Sequence, residues 1–328
     1  RRLDAPLPHG AQPIGEGAAD KDAVRAAGDG LQRLLSRLDA AVEQKQTTPE
    51  RLLLSVGAWP HALALHQARF MATHFPKGSE FPAISMVPEF DDLPIADVTA
   101  YSMDDSFTFE VDDAISVTSL GDDVVQLGIH IAAPGLGIER DGELDRLARG
   151  RMSTVYIPGH KIPMLPGDVI SAFSLDAGKL RPALSLYVRA NLATGEMLGH
   201  ETRLERIRVA ENLRHDVLDA EITSEALADP TASIPYGEWV RPLWRYAMHL
   251  SAQREAVRGK AENNSRVEYS FILEGPHDDP DTRVKLVPRR RDAPLDRIVA
   301  EYMILTNNLW GGMLAAHGVR VLVAAGSG

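Results

Sequence analysis

A chain of 328 residues, 44% of them hydrophobic, can fill one large core or two ordinary ones, and its formal charge is -11. It has no cysteine, which excludes disulfides and thiolate metal sites, and the negative balance argues against coating nucleic acid through the overall field. No apolar run approaches the roughly 20 residues of a membrane span, so no membrane association and a cytoplasmic location are expected.

The opening Arg-Arg-Leu-Asp-Ala-Pro-Leu-Pro has neither a signal-peptide core nor an initiator Met, so the natural start is expected to lie elsewhere. Residues 1–20 are rich in Pro, Gly and Ala and predict an extended lead-in. Val24, Leu31, Leu34, Leu35, Leu38 and Val42 recur at helical spacing and predict a helix over 20–46. Thr48 as cap and Pro49 in the first turn open a second helix. Residues 59–74 continue as a third, broken near Pro76-Lys77-Gly78. Such a module is either a winged-helix-like nucleic-acid contact or, the favoured reading, a packing appendage. Residues 82–94 read as a linker.

From Ile95 the texture becomes β-like. Residues 114–118, 124–131, 183–190 and 201–209 read as strands. Residues 211–228 and 236–258 read as helices, 267–273 with 284–287 as a hairpin, and 294–316 as a helix with one apolar face. No internal repeat is present. The expectation is an α+β domain over 91–328, preceded by a small helical module within 1–90.

The strongest chemical signal is Asp104-Asp105-Ser106-Phe107-Thr108-Phe109-Glu110-Val111-Asp112-Asp113, five carboxylates in ten residues leading straight into a strand. Most Asp-rich runs are turns or solvated faces. Here the neighbours are Phe, Val and Ile, and carboxylates that converge in a fold repel one another. A divalent cation removes that penalty. All-oxygen donors suit Mg²⁺, with Mn²⁺ as the alternative, and magnesium so held coordinates substrate phosphates. A calcium loop is excluded because it needs a central Gly, and none lies between Asp104 and Asp113. The pattern predicts metal-dependent phosphoryl chemistry. The clusters Arg146/Arg149/Arg151, Arg203/Arg206/Arg208 and Arg289/Arg290/Arg291 leave room for a local phosphate track, although ion-pair partners at the surface are the commoner use of such residues.

Several segments together resemble one family. Asp104, Glu110, Asp112 and Asp113 with Ala114-Ile115-Ser116, then Leu127-Gly128-Ile129-His130-Ile131-Ala132, are similar to the opening of the catalytic RNB domain of the ribonuclease II family. The likeness continues through 144–158, Ile162-Pro163-Met164-Leu165-Pro166, Ser174-Leu175, 181–185 and 297–307, in order. It implies a mixed sheet or barrel core with packed helices. The implied activity is a Mg²⁺-dependent hydrolytic 3′→5′ exoribonuclease that takes single-stranded RNA from its 3′ end and releases nucleoside 5′-monophosphates. Asp104, Glu110, Asp112 and Asp113 are then the metal carboxylates and catalytic residues. Tyr156 is implied to stack on the last base and Glu301 to hold the terminal nucleotide. Arg151, Arg266 and Asn307 are further candidate RNA contacts. A plain ion pair with Glu139 or Asp145 is an equal reading for Arg149 and Arg151. His130, on an apolar strand, reads as a satisfied core histidine.

Three departures stand out. Glu110 occupies a position where the family commonly has Asp. Asn263 or a neighbour stands where well-known members carry a Phe opposite the Tyr. No Ser-Pro-x-Arg-x-Tyr-type segment lies in the chain, so a truncated or partial form is expected. Glu110, the missing Arg segment and the acidic charge support a rival expectation, a non-catalytic RNA-binding or regulatory protein on a degenerate or truncated RNB scaffold.

Overall fold

The computed structural model describes residues 18–82, 90–106, 108–260, 267–276, 279, 281–290 and 293–319. The chain divides into two compact units, 1–79 and 80–328. In the first, α1 (Ala18–Lys45), α2 (Pro49–Ser55) and α3 (Ala62–His74) follow one another. The Thr48 hydroxyl accepts from the Arg51 amide, so the cap read from sequence starts α2. No strand occurs among this unit's described residues, so a winged-helix wing is not seen there. Leu31, Leu34 and Leu35 are more than half exposed and Leu65 is the buried hydrophobic, so the α1 stripe does not form a core among the described residues.

The second unit is built on a five-stranded closed barrel. Its strands are β1 (Ala100–Asp104), β2 (Asp113–Gly121), β3 (Val124–Ala132), β6 (Leu180–Asn191) and β7 (Met197–Arg214). Neighbours run antiparallel from β1 through β7, and a parallel β1–β7 pair closes the ring, with Ala100 opposite Val209 and Asp104 opposite Arg214. Asp122 and Asp123 both have positive φ, as a two-residue hairpin turn between β2 and β3 demands.

Between β3 and β6 lie a short 3₁₀ turn (Pro134–Leu136), α4 (Glu143–Arg151), the hairpin of β4 (Val155–Ile157) and β5 (His160–Ile162), and α5 (Gly167–Phe173). After β7 come α6 (His215–Leu218), α7 (Ser224–Ala228) and α8 (Gly237–Arg258). Then β8 (Val267–Glu274) pairs with β9 (Arg283–Arg290), and α9 (Pro294–Ala316) closes the described fold.

Strand alternation sorts the core into two faces. Ile115, Leu127, Ile129, Leu186 and Val188 pack outward against Trp239, Val240, Leu243 and Tyr246 of α8 and Leu295, Ile298 and Tyr302 of α9. The opposite faces line the inside of the barrel. There Ala100, Ala114, Ala183, Ile207 and Val209 are joined by buried Ser116, His130, Ser185 and Glu205. His130 bonds Ser116 Oγ through Nε2 (2.9 Å) and Ser185 Oγ through Nδ1 (2.8 Å), and Tyr187 Oη donates to Glu205 (2.7 Å). Both imidazole nitrogens are therefore satisfied, as the core reading of His130 requires.

The helix expected over 211–228 is corrected. Residues 211–214 extend β7, because pairing with β1 closes the barrel there, and two short helices follow. Long-range closure overrides the local helical pattern.

Candidate active site

Asp104 is the last residue of β1 and Asp113 the first of β2, so two of the four acids sit at one end of the barrel by register alone. The loop between them is anchored on both sides. Val111 is buried, its amide donates to Ser174 Oγ (3.1 Å), and its carbonyl accepts from the Leu175 amide (2.9 Å). Val111 is thus pegged into the core between a half-buried Glu110 and an exposed Asp112. On the near side, Arg214 donates to the Asp105 carbonyl (2.7 Å), His215 Nε2 lies 2.8 Å from Asp105 Oδ1, and Ser106 donates to Asp216. Asp105 thus serves as an anchor.

The remaining carboxylates feel one another. Burial, then the charges of Asp104 and Asp112, push Asp113 up to about 7. Asp112 is raised by burial, then by Glu110 and Asp104, while Lys161 pulls it down. Burial also raises Asp104, opposed by the Ser102 hydroxyl (2.7 Å), Arg214 and His215. Among the described residues no hydrogen bond or ion pair reaches the carboxylate of Asp112 or Asp113. Glu110 faces Lys161 instead, Oε1 to Nζ 2.6 Å.

An all-oxygen, partly buried acidic centre, two of whose carboxylates have no bonded partner among the described residues, fits a hard divalent cation. As they stand, the side chains do not enclose one: among the described residues no group of three or more His, Asp or Glu side chains is arranged to hold an ion. The carboxylates sense each other's charge without sharing a coordination sphere.

Tyr156 lies on β4 and is 75% exposed; its phenol is raised by burial and then by Glu110, against Lys161, with a smaller rise from Asp112. Its direct cross-strand partner is Lys161. The other candidates are placed differently. Arg151 donates to the carbonyls of Pro163 (2.7 Å) and Glu80 (3.3 Å) and lies 3.8 Å from the Phe81 ring centre. Arg149 pairs with Asp145 and, at 2.6 Å, with Asp141, the ion-pair alternative. Glu301 is buried on α9, and the two nitrogens of the Arg254 fork reach its two oxygens, one at 2.7 Å. Asn307 is on the exposed side of α9. Arg266 and Asn263 lie outside the described residues.

Sequence reasoning missed Lys161, Arg214, His215 and Arg254. The first three stand 51, 109 and 110 positions from the residues they meet, and no local pattern marks them. A cavity of 330 Å³ lined by Val117, Asp122, Leu192 and Pro242 sits at the β2–β3 turn, the opposite end of β2 from Asp113, and is not part of this site.

Comparison with known proteins places the chain. It is 28% identical over 232 residues to exoribonuclease 2 of Vibrio vulnificus strain YJ016, covering 70% of this chain and 34% of that protein. It is 40% identical over 114 residues to exoribonuclease 2 of Serratia proteamaculans, covering 33% and 18%. The chain therefore spans about a third, or less, of the length of these relatives. Among solved structures, Mycoplasma genitalium RNase R in complex with double-stranded RNA superposes with TM-score 0.58 at 16% identity, over 76% of this chain and 42% of that one. The same protein with ribose-methylated single-stranded RNA gives 0.56 at 15% identity, over 76% and 37%. At such identities the likeness speaks for the fold. The RNB domain model matches residues 93–325, which takes in the barrel, the acidic loop, Tyr156 and α9, and the chain accordingly belongs to the RNB domain family.

Proposed function

We propose that this chain carries the catalytic centre of a hydrolytic 3′→5′ exoribonuclease acting on single-stranded RNA. The observation that carries the reading is the gathering of Asp104, Asp112 and Asp113 at one end of the barrel, where burial raises all three and no described cation is bonded to Asp112 or Asp113. Asp104, Glu110, Asp112 and Asp113 would hold Mg²⁺ or Mn²⁺. A cation bound there supplies charge neutralisation at a phosphate and a water of lowered pKa. The chain's own groups do the rest. Ser102 holds the Asp104 carboxylate, Arg214 braces the adjoining Asp105 carbonyl, and Val111 anchors the loop that carries Glu110 and Asp112. Tyr156 offers an open ring to a terminal base, a contact indifferent to base identity. Glu301 would hold the terminal nucleotide only by giving up part of its Arg254 pairing. Arg266, Asn307 and Arg151 remain subordinate candidates for RNA contact. A domain boundary near residue 91 and a cytoplasmic location complete the proposal, the latter supported by the absence of cysteine. No helix among the described residues is long and apolar enough to cross a membrane.

The test is an incubation of 5′- and 3′-labelled single-stranded RNA with Mg²⁺ and the full-length gene product. Nucleoside 5′-monophosphates should accumulate from the 3′ end, and Asp112→Asn should abolish cleavage while RNA binding persists. Failure of mononucleotides to appear would overturn the reading. One observation favours a second reading, a non-catalytic RNA-binding protein: Glu110 is already neutralised by Lys161. That protein would bind the same RNA and leave it intact in Mg²⁺.

A further inference from the structure

Lys161 is not explained by the acidic centre alone. It sits on the short β4–β5 hairpin, opposite Tyr156, and its ammonium donates to Glu110 at 2.6 Å. It is also the cation whose charge reaches Asp112. Its Nζ is 5.8 Å from the ring centre of Phe109, a residue that precedes Glu110 in the acidic loop. Phe109 is 78% exposed and Tyr156 75%. Two large rings so open to water cost hydration free energy in the free protein, and both flank one partly exposed ammonium. An ammonium has three N–H donors. Glu110 takes one, and no other hydrogen bond to a described residue is made by Lys161.

We propose that Lys161 is a substrate-binding residue of this site. Its free N–H groups take a backbone phosphate oxygen of single-stranded RNA, while Phe109 and Tyr156 present their rings to the adjoining bases. The proposal rests on the RNA reading above and adds the contact that sets the strand's register against the carboxylates. Phosphate recognition by a point charge, between sequence-tolerant aromatic platforms, is the chemistry that binds a single strand without choosing its bases. It also gives the acidic centre a local attractor for a polyanion that the net charge of -11 would otherwise repel. Through its bond to Glu110, Lys161 couples the strand's position to that of a candidate metal ligand.

The rival account makes Lys161 a counter-charge for Glu110 and nothing more. The two differ in salt dependence. A phosphate contact on a single strand contributes about 0.7 to the slope of log K against log salt. The experiment uses a fluorescein-labelled single-stranded RNA decamer in EDTA, where cleavage is blocked, and fluorescence anisotropy from 50 to 300 mM KCl. Wild type, Lys161→Met, Lys161→Arg, Phe109→Ala and Phe109→Trp are compared, each with its melting temperature. Lys161→Met should lower the slope by about 0.7 and weaken binding, and Lys161→Arg should restore both. Phe109→Ala should weaken binding about tenfold with the slope unchanged, and Phe109→Trp should keep wild-type affinity. If Lys161→Met fails to fold, Lys161→Gln carries the same expectation. Wild-type slope and affinity in the Lys161 variant would overturn the proposal while leaving the RNA reading intact. A wild type that binds no RNA at 50 mM KCl would overturn both.

Discussion

Asp113 opens β2 with its carboxyl held up at about 7, whereas an unfolded Asp titrates near 3.8. The folded state thus binds this proton more tightly than the unfolded chain does. Its contribution to stability is complete below the unfolded value and is lost as pH rises from about 4 to about 7. In metal-free buffer, Asp113→Asn should therefore melt above the wild type by a margin that grows from pH 5 to pH 7 and then levels. Thermal unfolding at matched ionic strength reads this directly, and a margin that shrank with rising pH would contradict the assignment of burial and repulsion as causes. His130 acts with the opposite sign. Burial lowers it to about 4, so the folded state resists its protonation and stability is lost as pH falls from about 6.5 through that value. Between about pH 4 and 6.5 the two slopes are opposite and largely cancel, so the comparison with Asp113→Asn is what isolates the Asp113 contribution.

At the scale of elements, β3 shows how closely the barrel interior is packed. A Cβ on Gly128 would lie 2.4 Å from Ser116 Oγ and 2.8 Å from His130 Nε2. Gly128→Ala should break the Ser116–His130–Ser185 chain and destabilise the protein by about 1–3 kcal/mol, readable as a lower urea midpoint. Unchanged stability would mean that the barrel interior yields more readily than its packing implies. Much of the element plan was legible from residues alone. Thr48 and Pro49 marked the start of α2, Pro294 marked α9, and the β8–β9 hairpin followed from alternation. The acidic loop announced itself because Val111, Ala114 and Ile115 are apolar among carboxylates. What stayed hidden is long-range. Residues 211–214 look helical locally and become strand only because β1 lies beside them. Arg254 meets Glu301 across 47 positions between two helices. Lys161 reads as a loop lysine until the β4–β5 register sets it opposite Tyr156 and beside Glu110.

For the whole molecule, the relation between charge and substrate decides what is plausible. A net charge of -11 repels RNA at long range, so binding must be local and assisted by cations. The barrel meets that demand by gathering acids at one end of β1 and β2, beside an exposed tyrosine and a partly exposed lysine. The residues matched by the RNB domain model lie in the second unit, while α1, α2 and α3 of the first unit lie outside the match. The central claim is that the acidic loop takes a divalent ion, and Mn²⁺ titration followed by calorimetry or by loss of the free-ion EPR signal tests it most directly. The account predicts saturable Mn²⁺ binding by the wild type that is competed by Mg²⁺ and lost in Asp112→Asn and Asp113→Asn. Absence of binding in the wild type, or binding undiminished in both variants, would contradict it.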